Sequence, residues 1–196
     1  SPFYEDLVVL NERLTSLDGL RNLVHLGGNL ELVSNPALVD LSGLQGLQSI
    51  AGNVLFKGNP ELARLGGLGN LTSIGGDLRF WRDDGDPGFS NSSLTSFAGL
   101  ENLRSIGGGL DVVKSGPMRA DGLDNLTSVG SIYFYSSELT NLRGLASLRS
   151  VRGVFAIFFN ESLPNCEAEW LRDSVGTANI GGPVDVSNNS GAGTCP

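Results

Sequence analysis

Apolar residues step along this chain in threes and then alternate. A Gly-Leu pair recurs at Gly19-Leu20, Gly43-Leu44, Gly67-Leu68, Gly99-Leu100, Gly122-Leu123 and Gly144-Leu145. The intervals are 24, 24, 32, 23 and 22 residues. Three residues after each Leu stands Leu23, Leu47, Leu71, Leu103, Leu126 or Leu148. Three further on stands Leu26, Ile50, Ile74, Ile106, Val129 or Val151. A small pair follows in most units, as in Gly27-Gly28, Ala51-Gly52, Gly75-Gly76 and Gly107-Gly108. An alternating stretch comes next: Leu30/Leu32, Val54/Phe56, Leu78/Phe80, Leu110/Val112, Ile132/Phe134 and Phe155/Ile157. Asn-Pro turns close two units, at Asn35-Pro36 and Asn59-Pro60.

Period-two alternation predicts strands, and no segment within a unit is long enough to predict a helix. One unit can bury its apolar face only against the next, so the units must stack. The expected fold is all-β: a right-handed β-solenoid of about six coils of ~24 residues. A leucine-rich-repeat horseshoe is the runner-up, because Leu30-x-Leu32-x-x-Asn35 partly fits its pattern. The Gly-Gly corners and the lack of a helical segment argue against it. A leading half coil is expected at Leu7 to Leu10. No N-terminal cap is evident, which is the pattern of a segment taken from a longer solenoid or closed by another domain.

Near the C-terminus the repeat stops. Asn165 reads as an N-cap, Glu167 and Glu169 as first-turn acids, and Gly176 as a stop. Ala168, Leu171 and Val175 fall on one face of the resulting helix, about residues 166 to 175. That helix is expected to lie over the last coil and shield its edge. Cys166 and Cys195 flank it and are expected to form a disulfide. It would close a loop of roughly 30 residues, contribute about 3 kcal/mol, and imply an oxidising compartment. Residues 1–163 are therefore the solenoid and 164–196 its cap, within one domain.

The unit Leu-Thr-Ser-Leu-x-Gly-Leu-x-Asn-Leu-x-Ser-Ile-Gly-Gly-x-Leu-x-Phe resembles the receptor L-domain repeat. Residues 62–80 (LARLGGLGNLTSIGGDLRF) and 94–112 (LTSFAGLENLRSIGGGLDV) carry the resemblance best. It covers about residues 7 to 163. Residues 163–195 are similar to the closing cap of bacterial and lower-eukaryotic members. The resemblance implies an extracellular cell-surface β-solenoid that binds rather than catalyses. The animal receptors' cysteine-rich neighbours and usual N-terminal cap are missing here.

Composition narrows the function. The 196 residues include 28 Gly, one His and two Cys, and carry a net charge of -8. An acidic chain has no dense basic surface for phosphate backbones, so nucleic acid is not an expected partner. No apolar run is long enough to span a bilayer, so no direct membrane insertion is expected. The start, SPFYEDLVVL, lacks the basic region and apolar core of a signal peptide. The expected location is extracellular, with any signal peptide already removed. Five Asn-x-Ser/Thr triplets, at Asn70, Asn91, Asn125, Asn160 and Asn188, are glycan acceptors in a eukaryotic secretory pathway. Repeat geometry alone accounts equally well for Asn70 and Asn125.

With the alternating Leu and Phe residues inside, their neighbours point out. One outward column is Leu10, Val33, Lys57, Trp81, Val113, Tyr135 and Phe158. The adjacent column is Val8, Glu31, Leu55, Arg79, Asp111, Tyr133 and Ala156. A solvated sheet face should be polar there. Val33, Lys57, Arg79, Trp81, Val113, Tyr133, Tyr135 and Phe158 are therefore the candidate contacts for a protein or glycan ligand. β-propensity, or a covering domain, is the alternative account of the aromatics.

The 32-residue interval places an insertion within residues 81–93. Its Asp83, Asp84 and Asp86 could offer oxygen ligands to Ca²⁺, but their spacing matches no known calcium loop and a solvated acidic turn is the favoured reading. A serine column, Ser49, Ser73, Ser105, Ser128 and Ser150, precedes the buried Ile and Val residues. Its hydroxyls are expected to bond to each other or to corner backbone. His25 occupies the same slot and is expected to face solvent. The threonines, Thr15, Thr72, Thr95, Thr127 and Thr140, are too broken a row for an ice-binding face. No Ser-His-Asp set and no Cys-His metal spacing is present, so neither catalysis nor a cofactor is expected. The one enzymatic alternative is polysaccharide cleavage by paired carboxylates, Asp111 with Glu31 or with the Asp83 loop. The rival from another class is a structural spacer within a larger surface protein.

Overall fold

The computed structural model describes residues 5–82, 91–114 and 119–193. Among these residues, twelve strands and one α-helix build a parallel β-solenoid of about six coils. The strands are β1 (Leu7–Val9), β2 (His25–Leu26), β3 (Leu30–Val33), β4 (Ser49–Ile50), β5 (Val54–Lys57) and β6 (Ser73–Ile74). They continue with β7 (Leu78–Trp81), β8 (Ser105–Val113), β9 (Ser128–Tyr135), β10 (Ser150–Val151), β11 (Phe155–Phe158) and β12 (Val184–Ser187).

Two parallel ladders run the length of the molecule. The wide ladder joins β1, β3, β5 and β7 to the second halves of β8 and β9, then β11 and β12. The narrow ladder joins β2, β4 and β6 to the first halves of β8 and β9, then β10. Both β8 and β9 run unbroken around the corner between the ladders. Their register shifts between Ile106 and Gly109, because Gly107-Gly108 on β8 face the single Gly130 on β9. That bulge is where the repeat shortens from 23 to 22 residues, and it accounts for the 22-residue interval between Gly122 and Gly144.

On the third side, four coils hold a single 3-10 turn at the Gly-Leu pair, Asp18–Leu20, Ser42–Leu44, Gly66–Leu68 and Arg143–Leu145, whereas at Gly99 and Gly122 the chain turns with φ 109° and 101°. This differs from the expectation that a coil contains no helical segment. A three-residue turn has too short a period to show in a hydrophobic pattern. The apolar residues of every ladder from the second coil onward are inside, and the alternating Leu, Val, Ile and Phe positions from Leu30 to Ile157 are at most 1% exposed. Phe56 and Phe80 stack at 4.9 Å with nearly parallel rings, and Phe97 meets Phe80 edge-on at 5.2 Å.

The Gly of each Gly-Leu pair is set by coil spacing. A Cβ on Gly43, Gly67 or Gly144 would penetrate the carbonyl oxygen of Leu17, Leu41 or Ala120 in the coil before. Gly19 stands on the first coil and has open space at the same position.

The helix α1 spans Asn165–Val175 and buries Ala168, Leu171 and Val175 on its expected face. Gly176 ends it with φ 81°. Two expectations about the cap are corrected. Pro164, not Asn165, occupies the N-cap, and no side chain caps the helix. Asn165 is the first helical residue and instead bonds Glu169 at 2.9 Å and accepts from Asn189 at 3.2 Å. Nor is α1 what covers the last strand: β12 pairs with all four residues of β11 and becomes the terminal edge. Glu167 latches the helix down. Its buried carboxylate accepts from Arg143 Nε and from the Leu142 amide, each at 3.1 Å, while the Arg143 guanidinium lies 4.8 Å from the Trp170 ring centre. The expected disulfide falls partly on Cys195, which lies outside the described residues.

Candidate functional site

A buried asparagine ladder fixes how the coils align and defines one corner of the wide ladder. Asn35, Asn59, Asn91, Asn160 and Asn189 are all buried. Each Nδ2 donates to a strand carbonyl of the preceding coil: Val9, Leu32, Phe56, Phe134 and Ile157 respectively, at 2.8–3.1 Å. The side chains also bond one another, Asn35 to Asn59, Asn59 to Asn91, and Asn160 to Asn189. Ser137 takes the place of asparagine in one coil and donates to Asn160 Oδ1 at 2.6 Å. The sequence signal was present but misassigned: each asparagine follows the second inward residue of its strand by three, or by three plus the insertion.

This ladder corrects two of the glycan assignments. Asn91 and Asn160 are at most 1% exposed and their amide nitrogens are already donors, so neither can carry a glycan in the folded chain. Asn70 and Asn125 are exposed, but each donates to the previous coil, to Gln45 O and Glu101 O at 2.7 Å. Asn188 is exposed and makes one long bond to Ser187 at 3.4 Å.

Both outward columns align as expected. Val33, Lys57, Trp81, Val113, Tyr135 and Phe158 are successive partners across the wide ladder, as are Glu31, Leu55, Arg79, Asp111, Tyr133 and Ala156. One candidate contact is corrected: Val113 is only 4% exposed, between Trp81 and Tyr135 in its column. Alternation fixes which face a side chain takes, not what lies over it. Val33, Lys57, Tyr135 and Phe158 are half-buried, whereas Trp81 and Tyr133 are exposed.

The aromatics gather at the C-terminal end of the face. Tyr133, Tyr135 and Phe158 have ring centres 5.0–6.4 Å apart. Phe159 joins them, 6.2 Å from Tyr135 and 5.7 Å from Phe158. The Lys114 ammonium sits 5.7 Å from the Tyr135 ring centre. Phe159 was missed because it lies one residue past its strand, at a corner that the alternation does not reach. That corner is left-handed in coil after coil: Ser34, Gly58, Lys114, Ser136, Phe159 and Asn188 all have φ between 47° and 71°. A phenylalanine there is strained, and it is still 51% exposed. Beside it Tyr135, Ser136, Phe159, Glu161, Asn188 and Ser190 line a groove of about 440 Å³.

Further along the face the charges are paired. Arg79 bridges Asp77 at 2.5 Å and Asp111 at 3.2 Å. Burial pushes the Asp111 carboxyl above its ordinary value, partly countered by Arg79. The folded chain therefore holds this proton more tightly than the unfolded chain. Its stabilising contribution is present below pH 3.8 and is lost as pH rises through the raised folded value. Melting temperatures of wild type and Asp111→Asn between about pH 3 and 7 test this. The wild type should lose ground to the variant as pH rises through that window, and a constant difference would contradict it.

The remaining candidates are only partly brought together. Asp111 and Glu31 share a column but lie three strands apart, roughly 14 Å, which is too far for paired glycosidase carboxylates. Asp83, Asp84 and Asp86 lie outside the described residues. The serine column aligns in register and His25 is exposed at its head, as expected. The hydroxyls do not chain together, however. Ser49 bonds His25 Nδ1 at 2.8 Å, while Ser73, Ser105 and Ser128 face an open groove crossed by Arg152. Thr72 and Thr127 donate to the previous coil's backbone at 3.0 Å.

Comparison with known proteins finds no matching family model, no matching curated protein and no matching solved structure.

Proposed function

We propose that this chain is a non-catalytic recognition module that holds the outer face of its wide ladder toward a protein or glycan at a cell surface. The observation that carries this reading is the aromatic end of that face. Tyr133, Tyr135, Phe158 and Phe159 interrupt a surface that elsewhere carries paired charges. Exposed aromatics on a rigid sheet supply contact area with little side-chain entropy to lose on binding. The stacked coils provide the rigidity, and Lys57, Arg79 and Lys114 set orientation around the patch. An extracellular location, a Cys166–Cys195 bridge and kinship with receptor L domains belong to the same proposal, the last resting on the repeat motif alone. The bridge predicts that no thiol titrates in the unreduced, unfolded protein.

The immobilised protein, screened against extracellular protein ectodomains and an oligosaccharide array, tests the reading. A ligand whose affinity falls about tenfold or more in Tyr133→Ala/Tyr135→Ala, at unchanged fold, supports it. A ligand indifferent to that pair and to Trp81→Ala overturns it. No ligand at all, with face substitutions moving only the melting temperature, favours a spacer.

A further inference from the structure

The groove beside Phe159 has a chemistry narrower than that of the face it borders. Its lining joins two aromatic rings, Phe159 and Tyr135, to polar residues of which Glu161 alone is charged. Ser136, Phe159 and Asn188 occupy the same left-handed corner of three successive coils. The wide ladder pairs β9 with β11 and β11 with β12, so hydroxyl, ring and amide succeed one another at one strand spacing, ~4.8 Å. Ser190 and Glu161 add a second hydroxyl and a carboxylate to the lining. The groove's volume, about 440 Å³, falls in the range of small-ligand sites.

An apolar ring face bordered by hydroxyl, amide and carboxylate groups complements one kind of ligand. A pyranose presents C–H groups on its flat face and hydroxyls around its rim. The C–H face packs on an aromatic ring, while the hydroxyls both donate and accept. Glu161 can accept from two adjacent hydroxyls, and Asn188 can both donate and accept. Among the described residues no cation lines the groove itself, Lys114 lying one coil earlier against the Tyr135 ring, and with Glu161 in the lining and a net charge of -8 an acidic sugar is disfavoured. A strained, half-exposed phenylalanine where the neighbouring coils place serine and asparagine is the mark of a side chain kept for contact.

We infer that this corner groove is a subsite for a neutral pyranose unit of an oligosaccharide. Phe159 is its stacking platform, and Glu161 and Asn188 are its hydroxyl partners. This inference rests on the recognition reading above and narrows its ligand to a glycan.

Isothermal titration with cellotetraose, maltotetraose, mannotetraose and chitotetraose tests it, with polygalacturonate fragments as the acidic comparison. At least one neutral tetrasaccharide should bind and the acidic fragments should not. Phe159→Gly should weaken that binding tenfold or more while leaving the melting temperature unchanged or higher, since glycine relieves the left-handed corner. Glu161→Gln should weaken it several-fold. Arg64→Ala, exposed and outside the wide ladder, should leave it unchanged. Absence of binding by all four neutral sugars at millimolar concentration overturns the inference. So does binding that survives both Phe159→Gly and Glu161→Gln. If sugar binding instead falls with Tyr133→Ala alone, or only an ectodomain binds and does so through the face, the groove assignment fails while the recognition reading stands.

Discussion

Gly67→Ala should cost about 4 kcal/mol or more, enough to threaten the fold, while Gly19→Ala should stay within about 0.5 kcal/mol of wild type. The two glycines occupy the same position of the repeat, so helix or turn propensity predicts the same small effect at both. The difference is the neighbouring coil. A methyl group on Gly67 would drive into the carbonyl oxygen, carbonyl carbon and Cβ of Leu41. These atoms belong to a backbone held on either side, so no rotamer change relieves the collision. Gly67 is also fully enclosed, between Leu65 and Leu68 in the core. Gly19 meets nothing within 4 Å. Urea unfolding of both variants is the measurement. Equal destabilisation would show that the requirement is conformational and that coil spacing does not impose it.

Asn59→Ala should be the most damaging polar substitution, at about 3–4 kcal/mol. Its amide donates to Leu32 O at 2.8 Å and to Asn91 Oδ1 at 3.2 Å, and its oxygen accepts from Asn35 at 3.1 Å. Alanine removes all three bonds at a site with no solvent access: Leu32 O loses this donor, Asn91 Oδ1 keeps only the Asn59 main-chain amide, and Asn35 keeps only Val9 O and Val33 O. Asn70 provides the contrast: it is exposed, with one bond to Gln45 O, and Asn70→Ala should cost about 1 kcal/mol or less. Asn59→Asp should be at least as harmful as alanine, because a carboxylate cannot donate to Leu32 O and would be buried as a charge. Denaturant melts of the three variants order them. Asn59→Ala no worse than Asn70→Ala would refute the ladder as a source of stability.

The ladders were legible because they depend on position. The step of three and the alternation of two placed the inward residues of the ladders, though not Leu38, Leu41, Leu62 and Leu65 before the Gly-Leu pairs, and the inferred columns match the strand register residue by residue from Leu30 to Phe158. Features that depend on local cover or on one polar atom were not legible. Val113 obeys the alternation and is nonetheless buried. Asn91 and Asn160 matched a glycan triplet, and only the fold shows that their amides point inward. The short strand β12 escaped notice because Val184-Asp185-Val186 stands outside the repeat and has a single alternation to show. Phe159 is the most instructive omission. The outward face was inferred from strand alternation, while the most exposed ring of the cluster sits where the strand has already ended.

The asparagine ladder also sets where the molecule tolerates length. Between Trp81 and Asn91 the chain carries eight residues more than its neighbouring coils, and Asn91 still reaches Phe56 O and Asn59 as though none were there. The thread is re-zeroed at each asparagine, so a detour made just before one leaves no error in the coils that follow. That corner is therefore a socket. Segments of different size can be exchanged there without altering the pitch of the solenoid, since the strands on either side keep their register from Lys57 through Trp81 to Val113.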